Sequence, residues 1–369
     1  MSSDPYLDPN TPNFPESTPR SVGDMAQNQA DTISLTPIEA EEVEEAVLDQ
    51  ALRPQAFVDY IGQTQIKENL RILLGAAKER GVSPEHLLFY GPPGLGKTTL
   101  ALLIAKEIGA QIKTTSGPAI ERVGDLASIL TNLTPHDILF IDEIHRLNKA
   151  VEEVLYPAME SGHIDIIIGK GPSARTIQLD LPPFTLIAAT TKIAMISAPL
   201  RSRFSGGIFR LEFYDNKEIE EIIWRSSKLL NTKHTLEIDR SSLEEIAQRS
   251  RQTPRTANYL LKRARDYAQV HKTGLTKDAV SDALKLIGID PIGLTHSDLK
   301  LLETIAKKYN GGPVGLNTIA ASMSEDEATI EEFNEPYLIQ VGFIERTPRG
   351  RILTDLGYKH LGIDPPIRS

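Results

Sequence analysis

The chain has 369 residues, a mass of 40.7 kDa and a formal net charge of −10, and 40% of its residues are hydrophobic. This length is sufficient for two or three domains. Cysteine is absent, which excludes a disulfide framework and a thiol nucleophile and is typical of a reducing compartment. Neither a run of about 18 apolar residues nor a basic-then-apolar leader is found, so we expect a cytoplasmic protein that does not span a membrane.

The excess of acidic residues is concentrated near the N-terminus. Residues 1–50 contain eleven acidic residues and one basic residue, which leaves 39 of each for the rest of the chain. Residues 1–45 also contain six prolines and show no apolar periodicity, and we predict that they form a disordered acidic tail. Because the remainder is neutral overall, the pI of about 5.4 does not exclude nucleic-acid binding through a local basic patch.

Strand and helix signals alternate over residues 46–213, which we predict to form one large domain. Three short apolar runs predict buried strands: 86–90, 137–141 and 184–189. Helical patterns predict helices at 66–80, at 98–108 and in the segment that ends at Met159. This alternation indicates an α/β fold with a parallel sheet that is covered by helices on both faces.

Two smaller domains are predicted after the large one. Residues 214–290 lack strand signals and predict a small all-α domain, with helices that include 217–230, 241–251 and 256–271. Residues 291–369 carry helical stretches and then two extended runs on either side of Thr347–Gly350. Helices followed by a hairpin predict a C-terminal winged helix-turn-helix domain.

A phosphate-binding loop lies between the first predicted strand and its helix. Gly91–Thr98 reads GPPGLGKT and matches the pattern GxxxxGK[ST], in which glycines such as Gly94 and Gly96 let backbone N–H groups cradle phosphates. The ammonium of Lys97 is expected on the β- and γ-phosphates and the hydroxyl of Thr98 on Mg²⁺. The sequence therefore predicts ATP and Mg²⁺ as ligands of this loop.

Two carboxylates, Asp142 and Glu143, follow the second predicted strand. Ligands of open α/β sheets bind at the carboxyl ends of the strands, so we expect both side chains to face the phosphate loop. Asp142 would hold the metal together with Thr98, and Glu143 would position and deprotonate the attacking water. On its own, an acidic pair after a strand is more often a helix cap; the phosphate loop earlier in the chain favours the catalytic interpretation.

Two hairpins are candidate binding surfaces. Arg346, Arg349 and Arg351 surround a Pro-Arg-Gly turn, and such a basic tip suits DNA phosphates, although a solvated tip is the alternative. Ile164–Asp180 alternates apolar and polar residues around a Gly-Lys-Gly-Pro turn, which predicts a protruding hairpin with a docking surface. A hairpin that packs only against its own domain remains the alternative.

The chain resembles known proteins at several of these motifs. Three segments resemble the AAA+ ATPases: Gly91–Thr99, Leu139–Leu147 and Pro199–Phe204. The span 51–369 is identified more closely as a member of the RuvB family, the bacterial motors of Holliday-junction branch migration, by five further segments: Thr115–Pro118, Val151–Pro157, Ile168–Pro172, Gly311–Gly315 and Arg346–Arg351. The all-α domain is then the nucleotide lid.

The resemblance implies an ATP hydrolase that translocates double-stranded DNA without strong sequence preference. It further implies a homohexameric ring, a RuvA tetramer bound to the Holliday junction as the partner that meets the Ile164–Asp180 hairpin, and an association with the resolvase RuvC. Arg346 and Arg351 match the DNA contacts of the family, with Arg349 between them.

The resemblance also assigns residues of the ATPase site. Thr191 would sense the γ-phosphate, and Arg203 would be an arginine finger that reaches the site of the neighbouring subunit. The catalytic set is then Lys97, Asp142, Glu143, Thr191 and Arg203. The nucleotide contacts would be Leu52, Arg53, Gly94, Gly96, Lys97, Thr98, Thr99, Glu160, Arg203, Tyr214 and Arg255, with Tyr60–Gln63 also on the adenine side. Thr253 and Pro254 suit a helix start that would place Arg255 over a phosphate.

The chain departs from the family pattern at four places. Ser161–Gly162, Lys192 and Gln252 replace the usual residues, and one additional residue follows Phe204. Two alternatives remain, one inside the ATPase class and one outside it. A clamp-loader subunit would lack the winged tail, and a transcription regulator would need side chains suited to base edges, of which the helix before the wing offers few.

Overall fold

A five-stranded parallel sheet forms the centre of the large domain. The structure is a computed structural model that describes residues 50–168, 175–230 and 237–365. The strands are β1 (Leu87–Tyr90), β2 (Ile112–Ser116), β3 (Ile138–Asp142), β6 (Thr185–Thr190) and β7 (Gly207–Arg210). Their order across the sheet is β2-β3-β6-β1-β7, and every neighbouring pair is parallel.

The three strands predicted from apolar runs are the three inner strands. Their side chains alternate between two cores, since Leu87 and Phe89 of β1 pack on one face of the sheet and Leu88 packs on the other. These three residues are fully buried, as expected for a strand that is covered on both faces. The predicted α/β fold is therefore confirmed.

Helices cover both faces of the sheet. They are α1 (Thr64–Arg80), α2 (Lys97–Ile108), α3 (Val123–Thr131), α4 (Lys149–Ser161) and the short α5 (Ala198–Arg201). Helices α1 and α2 supply Leu70 and Leu100 to the first core, whereas α3 and α4 supply Leu126 and Leu155 to the second. A separate antiparallel hairpin consists of β4 (His163–Ile168) and β5 (Arg175–Asp180); its predicted tip lies outside the described residues.

The helical domain shares a core with one face of the sheet. It consists of α6 (Asn216–Leu230), α7 (Arg240–Arg249), α8 (Pro254–His271) and α9 (Lys277–Leu286). Ile223 and Leu260 belong to the same apolar cluster as Leu87 and Phe89. Because this cluster is continuous, the lid is held against the layer that carries the phosphate loop.

The C-terminal domain is a winged helix domain with its own core. Its elements are α10 (His296–Glu303) with a π-helical extension (Thr304–Lys308), α11 (Leu316–Met323), α12 (Glu327–Thr329), a π-helical segment (Ile330–Asn334), α13 (Glu335–Gln340), β8 (Ile344–Thr347), β9 (Gly350–Leu353) and α14 (Asp355–Leu361). An ion pair between Arg251 and Asp298 joins it to the lid.

The chain divides into two units between Ala51 and Leu52. Of the first, the structure describes Gln50 and Ala51, which are helical. The predicted acidic tail over 1–45 lies outside the described residues. Within the described part of the chain, no helix has the length and apolar character that crossing a membrane requires.

Candidate nucleotide-binding and hydrolysis site

The phosphate loop connects the carboxyl end of β1 to the first turn of α2. Gly94 has a φ of +81°, which favours glycine, and a Cβ at this position would lie 3.1 Å from the Cβ of Arg255 in the lid. A side chain would therefore strain the loop and displace the lid. The lid and the loop are also joined by a hydrogen bond of 3.4 Å from the Arg255 backbone N–H to the Gly94 carbonyl oxygen.

Lys97 is the buried cation of the loop. Its ammonium donates to the carbonyl oxygens of Gly91 and Pro92, both at 2.8 Å, and it has no ion-pair partner among the described residues. Burial is the main cause that lowers the pKa of Lys97 to about 8; Asp142 opposes this shift and the charge of Arg255 adds to it. A nearby anion would restore the stability of the charged form.

Thr98, in the first turn of α2, and Asp142, the last residue of β3, bring two side-chain oxygens together. The Thr98 hydroxyl donates to Asp142 Oδ2 at 3.1 Å, and Asp142 Oδ1 accepts from the Glu143 backbone N–H at 2.9 Å. In the described part of the chain, no three His, Cys, Asp or Glu side chains form a cluster that could hold a metal by themselves. Two protein oxygens beside a phosphate loop fit Mg²⁺, which takes its other ligands from phosphates and water.

Glu143 stands in a left-handed backbone conformation directly after β3, with a φ of +48°. This conformation costs free energy in a residue with a side chain and is often found at functional sites. Gly117 leaves room for this backbone, since a Cβ at Gly117 would lie 2.4 Å from the Glu143 carbonyl oxygen. The Glu143 carboxylate is 45% exposed and its nearest cation is Arg146, at 3.5 Å.

Thr190 is the last residue of β6 and Thr191 follows it, and the two threonines differ in their surroundings. The Thr190 hydroxyl is buried, lies 3.0 Å from Nδ1 of His145 and accepts from the Lys192 backbone N–H at 2.9 Å. The predicted sensor, Thr191, is half-buried, and its hydroxyl has no hydrogen bond to any residue that the structure describes. Sequence reasoning did not single out the Thr190–His145 contact, which joins β6 to the turn after Glu143.

Tyr214 lies beneath the phosphate loop. Its hydroxyl lies 3.2 Å from the Leu95 carbonyl oxygen and 3.2 Å from the Tyr60 hydroxyl, and its single proton can be donated to either. Burial raises the pKa of Tyr214 to about 12. The two tyrosines thus support the loop from the lid junction. The Leu52 carbonyl oxygen accepts a hydrogen bond from Arg225 of the lid, and Arg53 follows it, half-buried.

Arg255 presents a second cation at the loop. Thr253 caps α8 by accepting from the Thr256 backbone N–H at 3.3 Å, Pro254 occupies the first turn, and Arg255 is exposed. Within the described ranges its guanidinium makes no hydrogen bond or ion pair. Lys97 and Arg255 therefore supply two cations without ion-pair partners at one loop, a pattern that indicates an anionic ligand.

Arg203 and Glu160 form a second cluster. Their side chains pair at 3.1 Å, and the Arg203 guanidinium also donates to the Pro199 carbonyl oxygen at 2.6 Å. None of the described contacts links either residue to the phosphate loop of the same chain. The structure thus assembles Lys97, Thr98, Asp142, Glu143 and Arg255 around the loop and leaves Arg203 and Glu160 together elsewhere.

The predicted DNA-binding arginines differ in how free they are. Arg346 pairs with Glu331 at 2.6 Å and with Glu335 at 3.2 Å. The Arg351 side chain is 11% exposed and pairs with Glu335, which is 1% exposed. Arg349 is exposed and has no ion pair with any described residue. The three DNA contacts stay predictions, with Arg349 the most available cation.

This arrangement defines a class of protein: an AAA+ ATPase with a helical lid and a C-terminal winged helix domain. The chain belongs to the RuvB family of Holliday junction branch-migration ATPases. A family model described as the Holliday junction DNA helicase RuvB P-loop domain matches residues 52–211. Models of the RuvB AAA lid domain and the RuvB C-terminal winged helix domain match residues 214–290 and 291–362.

Individual relatives agree with the family models. The chain is 58% identical over 321 residues to the Holliday junction branch migration complex subunit RuvB of Dehalococcoides mccartyi (strain CBDB1). This match covers 87% of this chain and 90% of that protein. The solved structure of the Thermotoga maritima RuvB Holliday junction branch migration motor is 48% identical, with a TM-score of 0.77, over 86% of this chain and 100% of that chain. A mutant of the same protein matches with 48% identity and a TM-score of 0.77, over 85% of this chain and 99% of that chain.

Proposed function

We propose that this RuvB-family ATPase hydrolyses Mg-ATP at the phosphate loop and uses the energy to drive double-stranded DNA through a Holliday junction. The observation that carries the proposal is a pair of cations, Lys97 and Arg255, that form no ion pair with any described residue and lie beside the Thr98–Asp142 oxygen pair. A buried ammonium that only carbonyl oxygens contact is costly unless an anion binds there.

The residues at the site would bind different parts of Mg-ATP. Lys97, together with the backbone N–H groups of Gly94 and Gly96 and the start of α2 at Thr98 and Thr99, would hold the phosphates. Thr98 and Asp142 would hold Mg²⁺, which neutralises phosphate charge when bound. Arg255 would reach the phosphates from the lid, so that the lid follows the state of the nucleotide.

Glu143 is placed to act as the general base. The Asp142 carboxylate accepts from the Glu143 backbone N–H and so helps to hold the left-handed turn at Glu143. The half-exposed Glu143 carboxylate would accept the proton of the attacking water. Thr191, whose hydroxyl makes no hydrogen bond to a described residue, would orient that water or contact the γ-phosphate.

We assign Arg203 to the site of a neighbouring subunit. Its lack of contact with its own loop and its position next to Glu160 support this assignment, because a finger has to lie on the opposite face of the protomer. Family membership supports a homohexameric ring in which each ATP lies between two copies. Stabilisation of the transferring phosphoryl group by an arginine in trans would couple the subunits.

The winged domain would contact DNA and the β4–β5 hairpin would contact the partner. The exposed Arg349, with Arg346, would bind backbone phosphates without base recognition. Ile177 of β5 is 43% exposed, which suits an apolar docking surface for a RuvA tetramer on the junction. Association with RuvC and action on chromosomal DNA in the cytoplasm are parts of the same proposal.

The proposal is tested by the ATP turnover of the full chain with a four-way junction and RuvA, compared with linear duplex DNA. We expect the junction and RuvA together to stimulate turnover and strand separation. Glu143→Gln should retain ATP binding and lose most turnover, since the amide cannot accept the proton. Equal turnover on both DNA substrates, or an active Glu143→Gln variant, would contradict the proposal.

A further inference from the structure

Tyr156 of α4 lies under the guanidinium of Arg203. The guanidinium carbon is 4.4 Å from the centroid of the Tyr156 ring, a distance typical of a cation–π contact. A ring contact engages the face of the guanidinium and leaves its in-plane N–H groups available for other acceptors. The ring can therefore orient Arg203 while the in-plane N–H groups, which here contact Glu160 and the Pro199 carbonyl oxygen, exchange these acceptors for a phosphate.

A single carboxylate, that of Glu152, anchors both the ring and the turn that carries Arg203. The Tyr156 hydroxyl donates to Glu152 Oε1 at 2.8 Å, and the Ser197 hydroxyl donates to the same oxygen. Ser197 caps α5 by accepting from the Leu200 backbone N–H at 3.2 Å. Because α5 ends two residues before Arg203, Glu152 fixes the ring and the backbone of the arginine in one frame.

We propose that Tyr156 is a positioning residue for the arginine finger: its ring holds the Arg203 guanidinium in the orientation in which it enters the neighbouring subunit's nucleotide site. The inference rests on the proposed trans role of Arg203. The Arg203 side chain is 18% exposed, and its Nε is buried without a hydrogen bond to any described residue. A long arginine side chain held in one orientation loses less rotamer freedom when the subunits engage.

The direct test replaces the ring while preserving the nucleotide site. Tyr156→Leu should lower ATP turnover roughly 3- to 30-fold, the range that corresponds to loss of one cation–π contact in the transition state. Nucleotide affinity should change much less than turnover, because Tyr156 does not touch the phosphate loop and the finger acts mainly in the transition state. Tyr156→Phe keeps the ring and should restore most of the turnover. Tyr267→Leu, which removes a half-buried tyrosine of the lid, is the matched control and should leave turnover unchanged.

Rings assembled from two kinds of variant subunit show whether Tyr156 acts in its own nucleotide site or in that of the neighbouring subunit. Glu143→Gln subunits have an intact finger, so mixing them with Tyr156→Leu subunits should raise turnover at the Tyr156→Leu nucleotide sites. Adding Tyr156→Leu to the Glu143→Gln subunits should weaken their ability to rescue Arg203→Ala subunits, by the factor that the single variant loses.

The outcomes separate the inference from the proposed function. Rescue of Arg203→Ala by Glu143→Gln without any rescue of Tyr156→Leu would overturn the positioning role, because the defect would then lie in the variant's own site. A Tyr156→Phe variant as impaired as Tyr156→Leu would also overturn it. Failure of Glu143→Gln to rescue Arg203→Ala would overturn the trans role itself, and the inference with it.

Discussion

Lys192 and Glu332 form an ion pair of 2.6 Å between the end of the central sheet and the winged domain. Lys192 follows the predicted sensor Thr191, and Glu332 lies in the π-helical segment before α13. The next residue towards the N-terminus, Glu331, pairs with Arg346 at 2.6 Å. A short series of charged contacts therefore connects the hydrolysis site to the hairpin of the wing.

Reversing one charge of this pair should uncouple the wing from the site. We expect Glu332→Lys to keep ATP turnover without DNA and to lower the amount of junction separated per ATP hydrolysed. The Lys192→Glu/Glu332→Lys double variant should recover part of that coupling, because it restores attraction between the two side chains. Parallel measurement of ATP turnover and strand separation gives the ratio.

The free energy of unfolding shows whether loss of the Lys192–Glu332 pair acts through stability. The Lys192 and Glu332 side chains are 33% and 53% exposed, so we expect a change of no more than about 1 kcal/mol in the free energy of unfolding. Lys149→Glu/Glu153→Lys reverses an exposed pair at 4.0 Å on α4 and should leave the ratio unchanged. An unaltered ratio in Glu332→Lys would refute the coupling role.

Gly117→Ala should disturb catalysis through the backbone of Glu143. The added methyl group would overlap the Glu143 carbonyl oxygen, and the resulting shift should cost about 1–3 kcal/mol of stability. We expect turnover to fall while ATP binding, measured separately, changes little. Gly124→Ala on α3 is the matched control, since its Cβ would meet no atom within 4 Å. Equal turnover in the two variants would show that Glu143 is not held through Gly117.

Arg255→Ala should weaken ATP binding without unfolding the lid. The Arg255 side chain is exposed and pairs with no described residue, so we expect the stability to change by less than about 0.5 kcal/mol. Removal of its charge also favours the charged form of Lys97, which limits the loss of affinity. Arg263→Ala, on the same helix, removes an arginine 3.5 Å from Asp266 and should not change ATP affinity. Titration with ATP distinguishes the two variants; identical affinities would contradict a nucleotide contact by Arg255.

Arg349 and Arg351 should respond oppositely in binding and stability assays. Arg349→Ala should weaken duplex binding equally for all sequences and reduce the salt dependence by about one unit of slope, with no loss of stability. Arg351→Ala should cost about 1–3 kcal/mol of stability, because it leaves the buried Glu335 with Arg346 as its remaining partner. Glu335→Gln/Arg351→Met should recover part of this loss. A stable Arg351→Ala variant with normal folding would refute the structural role.

The sequence predicted the inner strands better than the edges of the sheet. Strands β1, β3 and β6 are buried on both faces and appear as continuous apolar runs. The two strands that were not predicted, β2 and β7, are the edge strands, and their residues IKTTS and GIFR lack such a run. Partial exposure at an edge removes the hydrophobic signal on which the prediction depends.

The same distinction applies to the site. The phosphate loop and Asp142–Glu143 are local patterns next to buried strands, so their approach to each other could be predicted from the topology of a parallel sheet. The contacts of Tyr156 with Arg203, and of Lys192 with Glu332, join residues far apart in the chain and have no local pattern. The basic tip was predicted from Arg346, Arg349 and Arg351, but its pairing with carboxylates of the preceding helical stretch depends on tertiary packing.

The most direct test of the account is ATP turnover by mixed rings on a RuvA-bound four-way junction. Arg203→Ala and Glu143→Gln subunits should each be nearly inactive alone. Mixed together, they should regain part of the turnover and of the strand separation, because an intact base in one copy would meet an intact finger from the next. Mixtures that remain as inactive as the separate variants at every ratio would show that ATP is not cleaved between two copies of this chain.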